Sequence, residues 1–423
     1  MRVLVTSFAM DAHFNGCVPL AWALRAAGHD VRVASQPALT GSVTAAGLTA
    51  VPVGRDHRLD AIMSAVGDRI LAQYVDQELT TGGSRPPDAE FLKGWNTVMT
   101  ATFFSQIGAD PVVDDLVEFA RHWRPDLVLW EPFTFAGAVA ARVTGAAHAR
   151  VLSFPDLFLS LRRSLLGLLE PGPVHHVDDT LAEWLDWTAG RYGHSFDEEL
   201  VTGQWSVDQV PRGVRIPLDG PTVPMRYVPY NGPLPAVVPP WLRRAPERPR
   251  VCVTLGLTAR TSRFPNAVPV DRLFKAVEDL DVEVVATLDR AERELLPHVP
   301  DNVRLVEHVA LDVLLPTCSA IVHHGGAGTW STAVAHGVPQ LSLGWIWDAI
   351  HRARRTEELG AGLYLPSGEV TADGLRERLL RILREPSFRA AAERLRSEGA
   401  ADPSPHAVVP VLERLTAQHR ATG

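Results

Sequence analysis

Short apolar runs alternate with amphipathic stretches along most of the chain. The run 3–5 begins the alternation, and a loop then leads into a helix pattern with Pro19 in its first turn and Gly28 at its end. Two more strand patterns follow at 30–34 and 48–53. Short runs of this kind are typical of strands buried on both faces of a parallel sheet. The pattern therefore predicts an α/β fold with right-handed crossovers.

A proline-rich stretch divides the alternation into two halves. Prolines recur at short intervals from Pro211 to Pro249, which neither a continuous helix nor a central strand tolerates. Strand and helix patterns return after it, whereas residues 55–95 show no regular period. Single hydrophobic cores stop growing near about 250–300 residues, so a chain of 423 residues is long enough for two domains. We predict α/β domains over 1–215 and 250–400, a linker over 216–249, and a helix over 401–423 that packs back on the N-terminal domain.

Charge and composition narrow the class of protein. The net charge of −8 argues against a protein that binds the phosphate backbone of a nucleic acid. The cysteines Cys17, Cys252 and Cys318 lie far apart, so we expect neither a disulfide framework nor a thiolate zinc site, and a reducing cytoplasm fits this usage. No run of about 18 apolar residues occurs in the sequence, so we expect no membrane span.

The most informative stretch is IVHHGGAGTWST over 321–332. An apolar strand end runs into two histidines, a glycine-rich loop and a segment with helical spacing that Thr329 opens. Glycines let backbone N–H groups close on an oxyanion, and the positive end of the helix dipole adds favourable potential. This combination predicts an anion site, and we infer that its ligand is the pyrophosphate of a nucleotide sugar.

A histidine and a carboxylate follow two other predicted strands. His13 lies in the loop after the first strand, and Glu131 follows the strand over 127–130. Ligands of open α/β sheets bind at the carboxyl ends of the strands, so both side chains are candidates for one site. His13 is either a general base or an exposed loop histidine. Glu131 either orients that imidazole or is a strand-end residue at the surface.

Weaker patterns lie in the C-terminal half. Gly256 and Thr258 follow the strand over 250–255 and would place a second loop at the same cleft. Asp348 is either a helix N-cap or an acceptor of hydrogen bonds from substrate hydroxyl or amino groups. The D-x-D sequence over 279–281 spans a helix-to-strand connection without helper residues, so we predict no metal site. GGAGTW lacks the G-x-G-x-x-G spacing of a dinucleotide site, which makes a dehydrogenase a poor second interpretation.

With these motifs the chain resembles the family 1 glycosyltransferases of actinomycete antibiotic pathways over essentially its whole length. The segments that carry the resemblance include FAMDAHFNGCVPLAWALRAAGHDVRVASQPALT, RPDLVLWEPFTFAGAVAA, LLPTCSAIVHHGGAGTWSTAVAHGVPQ and WDAIHRARRTEELGAG. Within the family the chain looks closest to aminodeoxysugar transferases that act on anthracycline or macrolide aglycones. The resemblance implies the GT-B fold, in which two Rossmann-like domains face an interdomain cleft.

The resemblance also implies roles for the motifs. His13 stands where the family has the general base for the acceptor hydroxyl, and Glu131 where relatives often have an aspartate that orients this histidine. Direct in-line attack on the anomeric carbon would invert its configuration, and preorganised N–H donors would stabilise the leaving diphosphate without a metal. The TDP-sugar is then a co-substrate, and no cofactor is expected. The pyrophosphate signature of the family is matched by His324, Gly325, Gly326, Gly328 and Thr329.

Three departures from the family pattern concern the donor. His308 and Val309 stand where many relatives have an aromatic residue followed by Val-Pro. Base stacking would then fall to the imidazole, and the choice between thymine and uracil stays open. Glucose-using relatives have Asp-Gln where this chain has Asp348 and Ala349, and the missing amide suits a deoxygenated sugar. Gly344 replaces a proline that is common in the family.

The resemblance implies that a deoxyhexose, in our interpretation an aminosugar, is transferred to a polyketide hydroxyl, with an anthracycline favoured over a macrolide. The N-terminal half would hold the aglycone, although individual large aromatic residues are more often core than pocket. The candidates for this acceptor pocket are Phe8, Phe14, Trp95, Phe103, Phe133 and Phe154.

Some relatives work with a P450-like auxiliary protein that lacks oxidase function. The amphipathic region from Leu157 to Tyr192 resembles the lobe that they use, so we expect such a partner there and allow for a homodimer.

Two other functions stay open. A GT-B sugar-nucleotide epimerase would convert the donor without an acceptor, and a non-catalytic nucleotide-sugar-binding protein would never release TDP.

Overall fold

Two parallel β-sheets, one in each half of the chain, form the framework of the protein in the computed structural model. The structure describes residues 1–71, 74, 77–79, 87–168, 179–234, 237–256, 270–288, 293–294, 296 and 298–420. The strands of the first sheet are β1 (Arg2–Thr6), β2 (Asp30–Ser35), β3 (Thr49–Pro52), β4 (Leu127–Trp130), β5 (Ala147–Leu152), β6 (Trp205–Asp208) and β7 (Thr222–Pro224). The strands of the second sheet are β8 (Arg250–Thr254), β9 (Glu283–Thr287), β10 (Val303–Val306), β11 (Ala320–His323), β12 (Gln340–Ser342) and β13 (Gly362–Tyr364).

Helices connect the strands in both halves. In the first half they are α1 (Asp11–Phe14), α2 (Val18–Ala26), α3 (Thr40–Ala45), α4 (Leu59–Leu71), α5 (Ala89–Met99), α6 (Ser105–Ile107), α7 (Asp110–Trp123), α8 (Phe135–Thr144), α9 (Leu157–Leu168), α10 (Thr180–Gly190) and α11 (Glu199–Thr202). A π-helical turn, Thr100–Phe104, joins α5 to α6. The later helices are α12 (Val270–Val277), α13 (Leu311–Leu314), α14 (Ala327–Ala335), α15 (Asp348–Glu358), α16 (Ala372–Arg384), α17 (Pro386–Ala401) and α18 (Pro405–Arg420).

All described strand pairs are parallel, as the alternating pattern predicts. The first sheet has the order β3-β2-β1-β4-β5-β6-β7, and the second has the order β10-β9-β8-β11-β12-β13. Strand order therefore reverses beside β1 in the first sheet and beside β8 in the second. Crevices for ligands form outside the carboxyl ends of strands at such switch points. No helix among the described residues is long and apolar enough to cross a membrane.

Two helices lie in the region 55–95, where the sequence shows no regular period. Both α4 and α5 occupy it, so the interpretation of this region as irregular was wrong. The buried face of α5 includes Asn96, whose amide donates a hydrogen bond of 3.0 Å to Asp179. In α5 this buried polar residue interrupts the apolar stripe and obscures the helical period.

The proline-rich stretch contributes a strand to the first sheet. Residues 222–224, inside the segment 216–249 that we interpreted as a linker, form β7 and pair with β6 at the register Ser206↔Thr222. The first sheet thus continues past residue 215. An edge strand tolerates Pro224 because only one side of it needs to join the ladder.

The last helix packs on the first half of the chain. Val408 and Leu412 of α18 are fully buried in the same core as Leu24 of α2. Arg420 pairs with Asp126, just before β4. Apolar burial and an ion pair therefore attach the end of the chain to the N-terminal sheet.

Candidate active site

Both switch points carry residues that the sequence singles out. β1 and β4 are neighbours, and they are followed by His13 and Glu131 respectively. In the second sheet β8 and β11 are neighbours, followed by Gly256 and His324. Because carboxyl ends of adjacent parallel strands meet at one edge, each sheet brings two predicted site residues together.

His13 and Glu131 form a hydrogen-bonded pair. Nδ1 of His13 lies 2.8 Å from Oε1 of Glu131, whose side chain is 1% exposed. The other carboxylate oxygen accepts the backbone N–H of Phe133 at 2.9 Å. The buried carboxylate is thus fixed on both sides and holds the proton of the imidazole on Nδ1. The lone pair of Nε2 remains available to an acceptor hydroxyl, which is the arrangement of an oriented general base.

An apolar cavity adjoins His13 and takes its walls from both halves of the chain. Four of the six aromatic candidates for the acceptor pocket line it: Phe8, Phe103, Phe133 and Phe154. Sequence reasoning missed its other large apolar side chains, which are Met10, Leu59, Phe158, Trp345, Ile346 and Trp347. His324 of the glycine-rich loop lines the same cavity as His13. The C-terminal half therefore closes a cavity that the sequence assigned to the N-terminal half alone.

Phe14 and Trp95 pack in the core instead. Phe14 is fully buried between the first sheet and α2. Trp95 is 4% exposed on the buried face of α5 and meets the ring of Trp347 edge-on, with 6.1 Å between centroids. Trp95 supports the cavity wall from behind, whereas Phe14 has no part in it.

A second cavity shares the glycine-rich loop with the first, and we call it the donor cavity after the residues predicted to line it. It is lined by most of the residues predicted to hold the donor: Gly256, His308, Val309, His324, Gly326, Gly328 and Thr329. Unpredicted lining comes from the first half and the connection between the halves: Asn15, Gly16, Ser153, Tyr227, Tyr230 and Asn231. Gly325 and Asp348 line the apolar cavity beside His13 instead. Thr258 lies outside the described residues.

Two glycines confine the imidazole of His324. Gly256 has φ +80°, and a Cβ atom there would lie 2.2 Å from Cε1 of His324. A Cβ atom on Gly326 would lie 2.8 Å from Nε2 of the same ring. Only glycine allows both loops to approach so closely, which fixes the position of the imidazole at the cavity wall.

The helix α14 points its N-terminus into the donor cavity. It begins at Ala327, and its first backbone N–H groups have no partner within the helix. Together with the helix dipole, such free N–H groups favour an anion at this end of the helix. The hydroxyl of Tyr227, from the connection between the halves, lies 3.3 Å from Oγ1 of Thr332. This contact ties α14 to the segment that connects the two halves.

Asp348 is the first residue of α15, whose N-cap is Trp347. The interpretation of Asp348 as an N-cap therefore does not apply. Its carboxylate pairs instead with Arg352, one helical turn further on. Burial lowers the pKa of the Arg352 guanidinium to about 9. No group of three or more metal-binding side chains occurs in the described part of the chain.

A solved structure of the glycosyltransferase VinC in complex with dTDP is similar to this chain over nearly its whole length. The two share 40% identity with a TM-score of 0.86, over 99% of this chain and 100% of that chain. This similarity confirms the GT-B arrangement of two Rossmann-like domains.

Two curated relatives match the whole chain. Aklavinone 7-beta-L-rhodosaminyltransferase of Streptomyces galilaeus is 70% identical over 100% of this chain and 97% of its own length. TDP-daunosamine transferase DnrS of Streptomyces peucetius is 55% identical over 100% of this chain and 98% of its own. These similarities confirm the resemblance to antibiotic aminodeoxysugar transferases.

Two models of one protein family match successive parts of the chain. Residues 22–256 match the N-terminal domain of the erythromycin biosynthesis protein CIII-like family. Residues 271–415 match the C-terminal domain of that family. The chain therefore belongs to the erythromycin biosynthesis protein CIII-like family of glycosyltransferases.

Proposed function

We propose that this protein is an inverting, metal-independent glycosyltransferase that moves a deoxyhexose from a TDP-sugar to a hydroxyl group of a polyketide aglycone. One observation carries the proposal: His13 and His324, one from each half of the chain, line the same cavity. A base for the acceptor and an anion site for the leaving group are the two parts that glycosyl transfer needs in one cleft.

In this proposal His13 is the general base. As the acceptor oxygen attacks the anomeric carbon, its proton moves to Nε2 of His13, and Glu131 stabilises the imidazolium that forms. The bond from the anomeric carbon to the diphosphate oxygen breaks on the opposite face. A single displacement of this kind inverts the configuration at the anomeric carbon.

The glycine-rich loop stabilises the departing TDP. Negative charge grows on the diphosphate as the glycosidic bond breaks, and the N–H groups at the start of α14 are already oriented toward it. The imidazole of His324, confined by Gly256 and Gly326, adds a fixed hydrogen-bond donor. Donors that need no reorientation favour the transition state over the bound donor sugar.

The donor is a TDP-aminodeoxysugar, and the acceptor is an anthracycline aglycone, with a macrolide aglycone second. The names of the relatives favour this order, because one is an aklavinone rhodosaminyltransferase and another a TDP-daunosamine transferase. Aromatic walls around His13 suit a flat polycyclic acceptor, since ring faces and edges pack against fused rings. Ala349 beside Asp348 lacks the amide that would bond further sugar hydroxyls.

A P450-like auxiliary protein binds at α9 and α10 in our proposal. Leu168 and Trp187 on these helices are 53% and 58% exposed, and a partner surface would cover them. Turnover should rise when the purified partner is added, and Trp187→Ala should reduce that rise while leaving the rate without partner unchanged. Equal rates with and without the partner would remove this part of the proposal.

The proposal also includes a homodimer and a cytoplasmic location. The cysteines Cys17, Cys252 and Cys318 are buried and free, which fits a reducing compartment. Light scattering of the purified protein tests the dimer, and a mass of one chain would exclude it.

Mass-spectrometric product analysis tests the function. One anthracycline and one macrolide aglycone are each offered with a TDP-aminodeoxysugar, with and without the auxiliary protein and with and without EDTA. Glycosylated anthracycline with release of TDP is the expected result in both EDTA arms. Conversion of the donor without an acceptor would indicate the epimerase. Donor binding without TDP release in any arm would indicate the non-catalytic binding protein.

A further inference from the structure

Gly325, in the middle of the glycine-rich loop, is held by both of its backbone groups. Its N–H donates a hydrogen bond of 3.1 Å to Nδ1 of His323. Its carbonyl oxygen accepts a hydrogen bond of 2.5 Å from Nη2 of Arg352. Gly325 has φ +93°, and a Cβ atom there would lie 2.8 Å from Cα of Gly344. The N–H of Gly325 is therefore used within the protein and does not face the donor diphosphate.

The imidazole of His323 is fixed in one tautomer. It is completely buried at the end of β11. Because Nδ1 accepts the N–H of Gly325, the ring proton resides on Nε2, which lies 2.9 Å from Oε1 of Gln340. Burial is the main cause that lowers the pKa of His323 to about 3, so the ring stays neutral and keeps its accepting nitrogen at neutral pH.

Arg352 connects the same glycine to the residue predicted to contact the sugar. Its guanidinium donates to the carbonyl of Gly325 and also pairs with the carboxylate of Asp348. The side chain is 3% exposed, and it lies over the ring of Trp330 in α14, 5.8 Å from the centroid. One arginine thus links the glycine loop, the anion-binding helix and the start of α15.

We propose that His323 and Arg352 are positioning residues that clamp Gly325, so that the N-terminus of α14 and the carboxylate of Asp348 hold their places in the donor site. The inference rests on the proposed function, in which α14 binds the donor diphosphate. Neither residue touches the donor diphosphate in this role. His323 acts through the N–H of Gly325, and Arg352 acts through its carbonyl and through Asp348.

Substitutions of His323 separate this role from simple burial. In His323→Asn the amide oxygen takes the place of Nδ1, so the N–H of Gly325 keeps its acceptor. In His323→Gln the amide replaces the Nε2 end of the ring, and in His323→Leu no acceptor remains. We expect the Kd for TDP, measured by calorimetry, to rise about tenfold in the Gln and Leu variants, and by less than about threefold in the Asn variant.

A matched control is His148→Leu. His148 is also buried, at 1% exposure, but it lies in β5 of the other sheet and accepts the indole N–H of Trp130 at 3.3 Å. The His148→Leu substitution should lower the melting temperature without changing the Kd for TDP. If His323→Leu does not fold, the comparison of the Asn and Gln variants still shows whether the acceptor for the N–H of Gly325 matters for TDP binding.

The outcomes distinguish this inference from the proposed function. If the wild-type protein does not bind TDP, the donor assignment fails. If the wild type binds TDP and the Asn and Gln variants bind it equally well, the donor assignment stands and the clamp is refuted. Equal loss of affinity in the Asn and Gln variants would also overturn the clamp, because only one of them restores the acceptor.

Discussion

Glu131→Gln tests whether the carboxylate sets the tautomer of His13. One carboxylate oxygen accepts the N–H of Phe133 at 2.9 Å, and the other lies 2.8 Å from Nδ1 of His13. In the variant the amide oxygen can keep the bond to Phe133. The amide NH₂ then faces Nδ1 and donates to it. The ring proton moves to Nε2, the atom that must accept the proton of the substrate.

The magnitude follows from the loss of the general base. Proton transfer by a positioned base contributes roughly 10²–10⁴-fold to rate, which is about 3–5 kcal/mol of activation free energy. We expect a loss of that size in kcat, both for Glu131→Gln and for His13→Ala. The assay is the initial rate of TDP release at saturating donor and acceptor. The Kd for TDP should stay the same, since the pair lies at the switch point of the first sheet and the anion site at that of the second.

Glu131→Asp is the matched control. It keeps the charge and the accepting oxygens, so the rate should recover in part. A Glu131→Gln enzyme within about threefold of the wild-type kcat would falsify the role of the carboxylate. Loss of TDP affinity in that variant would show that the substitution disturbs the fold of the cleft.

Three further predictions concern the donor loop, the acceptor wall and pH. Gly256→Ala should weaken TDP binding about tenfold by calorimetry, because its Cβ atom would lie 2.2 Å from His324; an unchanged Kd would contradict the close approach. Trp347→Ala should raise the KM for the aglycone about tenfold, because the variant loses one ring of the acceptor wall. His323 has a pKa lowered to about 3, so its contribution to stability is full above about pH 6.5 and is lost as the pH falls, by about 1.4 kcal/mol per unit. The free energy of unfolding, measured with denaturant between pH 6.5 and 5, should therefore fall less steeply with decreasing pH in His323→Asn than in the wild type. The difference in slope should correspond to the uptake of about one proton on unfolding.

Topology explains why the sequence predicts the reacting pair so well. His13 and Glu131 are 118 residues apart, yet each follows a strand, and parallel strands bring their carboxyl ends to one edge. The same reasoning places Gly256 near His324. Strand ends can be found from apolar runs and the residues that follow them. Residues at strand ends are therefore the part of a site that single-sequence reasoning finds most readily.

Side-chain direction explains the failures. His13 and Phe14 are consecutive in α1, about 100° apart around the helix, so one faces the cleft while the other enters the core. Trp95 belongs to the buried face of α5, a helix that the sequence pattern did not reveal. Trp347 lies between a strand and a helix, where no period fixes direction. Only the folded chain shows that its ring packs against the ring of Phe103, with 5.6 Å between the two centroids.

Trp347 also shows why the acceptor and donor sites of this protein should not be treated as independent. It has φ +53°, a left-handed conformation that is costly for a bulky residue and that persists only where the surroundings enforce it. The enforcing contacts are rings of the other half, Trp95, Phe103 and Phe158. The next residue is Asp348, which pairs with the arginine that holds the glycine loop. We therefore expect an aglycone that contacts Trp347 to act on the first residue of α15, and through it on the proposed donor site. Because such coupling is reciprocal, we expect a bound TDP-sugar to change aglycone affinity by the same factor as the aglycone changes the affinity for the TDP-sugar.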